Sequence, residues 1–149
     1  MNLSLQISDI AHVIQLSVAP VFLITGIGAL LSVLSFRLGR AVDRARVLQD
    51  ILPAPDDEQR IAAIHSELCI LSVRTGLINW AITLCTTSAL LICLVIMVVF
   101  VGALVGLDIA TPIAVLFILS IAALSSSLLI FLKEIRLATA NLRIGPRAI

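Results

Sequence analysis

The sequence predicts an all-α integral membrane protein with three transmembrane helices, its N-terminus outside and its C-terminus inside. The transmembrane helices are expected to extend into a cytoplasmic antiparallel helical hairpin and a C-terminal helix. Three observations predict this. First, 60% of the 149 residues are hydrophobic and only 13% are charged, at a mean hydropathy of +1.18. A soluble domain is about 45–50% apolar and about 25% charged, so lipid must be part of this chain's solvent. Second, the apolar residues collect in three long stretches. Third, all ten Lys and Arg residues lie on one side of those stretches. Arg37, Arg40, Arg44, Arg46, Arg60 and Arg74 fall between the first and second, and Lys133, Arg136, Arg143 and Arg147 follow the third. The outer segments hold only Asp9 and Asp108, which is the positive-inside asymmetry.

The first span is expected at about 16–36, close to 30 Å of helix and one hydrocarbon thickness. No cleaved signal peptide is expected, because the N-terminus lacks a basic region and the apolar stretch is too long for one. The second span is about 80–106, with Trp80 at the inner headgroup level, where an indole faces both lipid and water. The third is about 112–132, capped by Asp108 or Thr111, with Pro112 in its first turn. None of these spans contains Asp, Glu, Lys, Arg or His, which disfavours a proton relay or ion-coupled pump.

The helices are predicted to run on past the inner surface. Leu34, Leu38, Ala41, Ala45, Leu48 and Leu52 follow the 4, 3 spacing of a coiled-coil seam. Pro53-Ala54-Pro55 breaks the helix, and Asp56 can cap the next. Ile61, Ile64, Leu68, Leu71, Thr75 and Ile78 form a second seam. The two make a cytoplasmic hairpin over about 37–76. Leu132, Ile135, Thr139 and Leu142 give a third seam on a C-terminal helix at about 133–144, ended by Gly145-Pro146. The whole of 1–149 reads as one membrane domain.

Four sets of residues invite a functional reading. Ser8, Asp9, His12 and Gln15 form an outer polar face, either a helix cap at Ser8 or Asp9 with headgroup-level polarity or a mouth in an oligomer. Arg37, Arg40 and Arg44 form an inner cationic stripe, either snorkelling and headgroup binding with Asp43 and Asp50 as partners, or an anion-selecting ring. Gly26, Gly28 and Ser32 are helix-packing small residues, with Gly28 and Ser32 as a small-xxx-small pair. The further hydroxyls Thr83, Thr86, Thr87, Ser88, Ser120, Ser125, Ser126 and Ser127 serve packing or line a conduit. His65 and Cys69 are i, i+4, but two ligands do not make a metal site. Cys69, Cys85 and Cys93 show no CxxC pattern and are expected as free thiols. No nucleophile–base set and no phosphate loop is present, so no enzyme activity, cofactor or metal is expected.

The runs ISDIAHVIQLSVAPVFLITGIGALLSVLSFRLGRAVDRARVL, LINWAITLCTTSALLICLVI and FLKEIRLATANLRI resemble an uncharacterised family of small bacterial integral membrane proteins catalogued as a domain of unknown function. The most specific part is Ile7 to Ala29 with Arg37 to Arg46. The resemblance covers nearly the whole chain and implies a multi-pass protein of the bacterial inner (plasma) membrane. It supplies no catalytic residue or substrate.

The function expected from these readings is that of a small self-associating inner-membrane protein, a homo-oligomer acting as a channel or pore lined by the first helix. The alternative is a membrane-anchored scaffold whose cytoplasmic hairpin binds a partner protein. Membrane lipid, including anionic headgroups on the cytoplasmic face, is the other expected partner. Nucleic acid is excluded, because no basic–aromatic surface remains once the helices are placed.

Overall fold

Three helices account for the described chain. The computed structural model describes the backbone of residues 3–50, 58–105 and 110–141, and the side chains of 14–15, 18–50, 59, 61–105 and 110–139. Helix α1 spans Leu3–Asp50, α2 spans Glu58–Val105 and α3 spans Ala110–Asn141. Each is long and apolar enough to cross a membrane. Each also continues well beyond its apolar stretch, as the seams predict: α1 runs fourteen residues past Phe36 to Asp50.

Two expected caps are corrected by the helix ends. α1 already begins at Leu3, so Ser8 and Asp9 lie inside it and do not start it. α3 begins at Ala110, so Thr111 is within the first turn and is not the residue before it. Pro112 does sit in that first turn, where its missing N–H breaks no helical bond. Asp108, Asp56, Leu52, Leu142, the Pro53-Ala54-Pro55 break and the Gly145-Pro146 stop lie outside the described residues, as do the side chains of Ser8, Asp9 and His12.

The chain divides into two compact units, Met1–Leu31 with Leu84–Ser125, and Ser32–Thr83 with Ser126–Ile149. In the first, Ile27 of α1, Cys85, Ser88, Ile92 and Val95 of α2 and Ser120 of α3 are buried. Ser88 Oγ donates to the Ser120 carbonyl at 2.9 Å, and Ser120 Oγ donates to the Ser88 carbonyl at 3.2 Å. This reciprocal pair joins two helices through small side chains, which allow close backbone approach in lipid. In the second unit the buried side chains are Leu34, Ala41 and Leu48 of α1, Leu71, Ile78 and Ala81 of α2, and Ser127 and Glu134 of α3. Ser127 Oγ donates to the Ala81 carbonyl at 2.7 Å.

The buried positions recur every seven residues. On α1 they are 27, 34, 41 and 48, and on α3 they are 120, 127 and 134. On α2 two such series interleave, 71, 78, 85, 92 and 81, 88, 95. A seven-residue period keeps one seam of each helix turned inward and imposes a left-handed supercoil. Leu34, Ala41, Leu48, Leu71 and Ile78 thus occupy the seams that the sequence predicts. The third seam is corrected. Leu132 and Thr139 are exposed and Ile135 is half-buried; the buried register on α3 is Ser120, Ser127 and Glu134.

The seams cover little of the apolar surface. Of the most apolar window of each helix, 11%, 22% and 11% is buried within the chain. Lipid or other chains must cover the rest.

Leu34 is fully buried and its neighbour Val33 is 49% exposed, so adjacent truncations should separate seam from surface. Leu34→Ala is expected to cost about 2–5 kcal/mol, and Val33→Ala less than about 0.5 kcal/mol. Denaturant titration in detergent, followed by loss of helical circular dichroism, reads both. Equal costs would contradict the seam register.

Candidate functional site

Glu134 is the only acidic residue of α3, and its side chain is 1% exposed. An ionised carboxylate so placed is costly unless cations and hydrogen bonds satisfy it. Two arginines do so, one from each of the other helices. Arg74 of α2 donates to Oε1 through Nη2 at 2.9 Å and Nε at 3.2 Å. Arg37 of α1 donates through Nη1 to Oε2. Both carboxylate oxygens are therefore engaged, in the charge-assisted geometry that makes such bonds strong.

The seven-residue register explains why these three meet. Glu134 follows Ser127 by seven residues on the α3 seam. Arg37 follows buried Leu34 by three, and Arg74 follows buried Leu71 by three, the 4, 3 alternation of a coiled-coil core. Each helix thus contributes one charged residue to a single layer. Arg37 and Arg74 keep 36% and 27% of their side chains exposed, whereas Glu134 is buried. The Arg37 guanidinium also lies 5.3 Å from the centroid of the Phe131 ring, a cation–π distance.

A second, solvated bridge lies further along α1. Arg44 donates through Nε and Nη2 to Glu67 Oε1 at 3.0 and 2.9 Å. Arg40 carries its guanidinium 5.9 Å from the Phe36 ring centroid. The cationic stripe Arg37, Arg40 and Arg44 is thus brought to one place, but its carboxylate partners are Glu134 and Glu67 on other helices, not Asp43 or Asp50 as the sequence suggests. The stripe borders a groove of about 470 Å³, lined by Arg37, Arg40, Arg44 and Arg74 with Ile135 and Thr139 of α3.

The remaining predicted residues separate. Gln15 is exposed. His65 and Cys69 are both exposed and border a different groove of about 710 Å³ with Ala45, Arg46 and Gln49. Among the described residues no group of three His, Cys, Asp or Glu could hold a metal. Gly26, Gly28 and Ser32 were expected to pack helices together, yet all three are exposed. A Cβ added at Gly26 or Gly28 would meet nothing within 4 Å. The hydroxyls divide: Ser88, Ser120 and Ser127 are buried in the seams, whereas Thr86, Thr87, Ser125 and Ser126 face outward.

Sequence reasoning missed Glu134, its partner Arg74 and the Arg44–Glu67 bridge. Apolar periodicity was the signal followed, and a charged seam layer is invisible to it. The recoverable signal was the polar series Ser120, Ser127, Glu134 at intervals of seven, matched by cations at seam positions of the other helices.

The chain belongs to DUF2721, a family described as a protein of unknown function, which matches residues 17–144. The expected membership of a domain-of-unknown-function family therefore holds. No curated protein and no solved structure matches the chain.

The charged layer predicts a graded mutational response. Glu134→Ala leaves two guanidinium groups facing each other and should cost about 2–4 kcal/mol, somewhat below a fully buried case because both arginines reach water. Replacing all three, with Arg37→Met, Arg74→Met and Glu134→Leu, should recover most of that loss. Glu67→Ala should cost no more than about 1 kcal/mol, because that bridge is exposed. Denaturant midpoints in detergent measure each; a Glu134→Ala cost no larger than that of Glu67→Ala would remove Glu134 from the centre of the structure.

Proposed function

We propose that the protein is a self-associating multi-pass protein of the bacterial inner membrane, with its N-terminus outside and its basic helix ends in the cytoplasm. The outward small-residue face of α1 is the contact between copies. One observation carries this reading. Thr25, Gly28, Ser32, Ser35 and Gly39 follow one another at 3, 4, 3, 4 spacing and all are exposed. At Gly28 and Gly39 an added Cβ would meet nothing within 4 Å. The two glycines thus leave room beside the helix, and small residues at helical spacing are what lets two membrane helices approach closely. Copies would then meet through backbone contact, away from the seam that closes each chain.

The channel form of this reading needs α1 to line a conducting path. Of the stripe Arg37, Arg40 and Arg44, two members, Arg37 and Arg44, are bonded to carboxylates of the same chain, which leaves Arg40 as the ring-forming candidate. We therefore assign α1 to the contact between copies first, with conduction as a property of the assembly to be measured.

Large side chains on this face should separate the copies without unfolding them. Gly28→Leu with Gly39→Leu is expected to convert the purified oligomer to monomer in light scattering after size exclusion, with unchanged helical circular dichroism. An unshifted oligomer, or a wild type that is monomeric throughout, rejects the contact. Absence of ion flux from vesicles carrying the wild-type oligomer rejects the channel form alone.

Orientation has its own measurement. In a variant lacking the native cysteines, Asp108→Cys should react with a membrane-impermeant maleimide added to the periplasmic side. Reaction only after permeabilisation would reverse the topology.

A further inference from the structure

Four guanidinium groups line the 470 Å³ groove, from Arg37, Arg40, Arg44 and Arg74. Two carboxylates, Glu134 and Glu67, bond three of them. Among the described residues the four arginines therefore exceed their two carboxylate partners by two positive charges. Among the described residues, the Arg40 guanidinium has a cation–π contact with Phe36 and no ion pair. The side chains of Arg37 and Arg74 remain partly exposed. This is a preassembled set of donors fixed by bonds to neighbouring carboxylates, which is the arrangement that recognises phosphate oxygens.

The groove changes character one heptad along. Stepping back seven residues from Arg40 gives Val33 on α1. The same step from Ile135, Ala138 and Thr139 gives Leu128, Phe131 and Leu132 on α3. Val33, Leu128 and Leu132 are exposed, and so is Phe36 at 67%. The cationic end is thus continued by an apolar face on the same two helices. Arg37 and Arg40 follow directly on the first apolar stretch, and Lys133 marks the end of the third, so the change occurs where hydrocarbon gives way to headgroups. A free phosphate would use only one end of such a groove; an amphiphile uses both.

We propose that this groove binds an anionic phospholipid, with its phosphate at Arg40 and the outward faces of Arg37 and Arg74, and an acyl chain along Val33, Leu128 and Leu132. Basic pockets between membrane helices on the cytoplasmic side take anionic headgroups by this chemistry. The site takes from the preceding section the membrane location and the inward basic side, and nothing from self-association. The structural bridges prepare the site: Glu134 and Glu67 hold three arginines in place, and Arg40 supplies a cation that no carboxylate among the described residues claims.

The test uses the full-length protein, purified in detergent with its lipid removed and titrated by native mass spectrometry. The probes are phosphatidylglycerol, phosphatidylcholine with the same acyl chains, and inorganic phosphate. Phosphatidylglycerol should bind at least about fivefold more tightly than phosphatidylcholine, and Arg40→Gln should remove about fivefold, the effect of one well-placed cation. Arg40→Lys keeps the charge and should retain most of the binding. Arg46→Gln removes a cation that borders the other groove and should change affinity by less than about twofold. Equal binding of the two lipids, or equal losses in the Arg40 and Arg46 variants, overturns the site in favour of diffuse surface charge. Phosphate binding as tight as that of phosphatidylglycerol overturns the lipid assignment in favour of a free anion. The Gly28→Leu, Gly39→Leu monomer should still bind phosphatidylglycerol, so loss of self-association and loss of this site are read separately.

Discussion

A carboxylate that is withdrawn from water must be answered, and the second unit is arranged around that requirement. Glu134 occupies a seam position of α3 at which an apolar residue would pack without cost. Its two oxygens are met by cations from α1 and α2. Sliding any one helix by a heptad would keep apolar seams facing one another but would leave this charge unmatched. Leu34, Leu71 and Ile78 supply packing energy that several registers could share; the charged layer is satisfied in one. Among the described residues no buried side-chain nitrogen or oxygen is left without a partner, as a low-dielectric interior demands.

The same reasoning explains what was legible in the sequence. Helix number and the seams of α1 and α2 follow from hydrophobic stretches and apolar spacing, and Leu34, Ala41, Leu48, Leu71 and Ile78 are buried where that spacing puts them. The third seam lies in the register of Ser120, Ser127 and Glu134, not of Leu132, Ile135 and Thr139, because apolar spacing does not see a seam built of small and charged residues. The interior is marked instead by small and polar residues, here Ser120, Ser127 and Glu134, with Ser88 and Ala81 opposite them. Of the candidate site, the stripe Arg37, Arg40 and Arg44 was visible as a helical face. Its partners were not, because Glu67 and Glu134 are distant in sequence and the nearer Asp43 and Asp50 offered a local answer.

α1 illustrates how one helix serves three environments. Its buried seam, Ile27, Leu34, Ala41 and Leu48, closes the chain. Its small-residue face, from Thr25 to Gly39, is exposed. Its third face begins with Val33 and ends with Arg40 and Arg44, passing from apolar to cationic within eleven residues. These faces follow from 3.5-residue periodicity applied to three different chemical series, and none competes with another for the same side chains.

The position of Glu134 also has a temporal side. α3 follows α1 and α2 in the chain, so both are synthesised before the carboxylate of Glu134 exists. Until then Arg37 and Arg74 have no shared carboxylate between them, and their like charges oppose closure at that layer. Arrival of the third removes that repulsion and satisfies both cations in one step. A chain truncated before Glu134 would carry every apolar seam residue of its first two helices and the Arg44–Glu67 bridge, yet leave Arg37 and Arg74 without their shared carboxylate, which makes synthesis of α3 a condition for completing this layer.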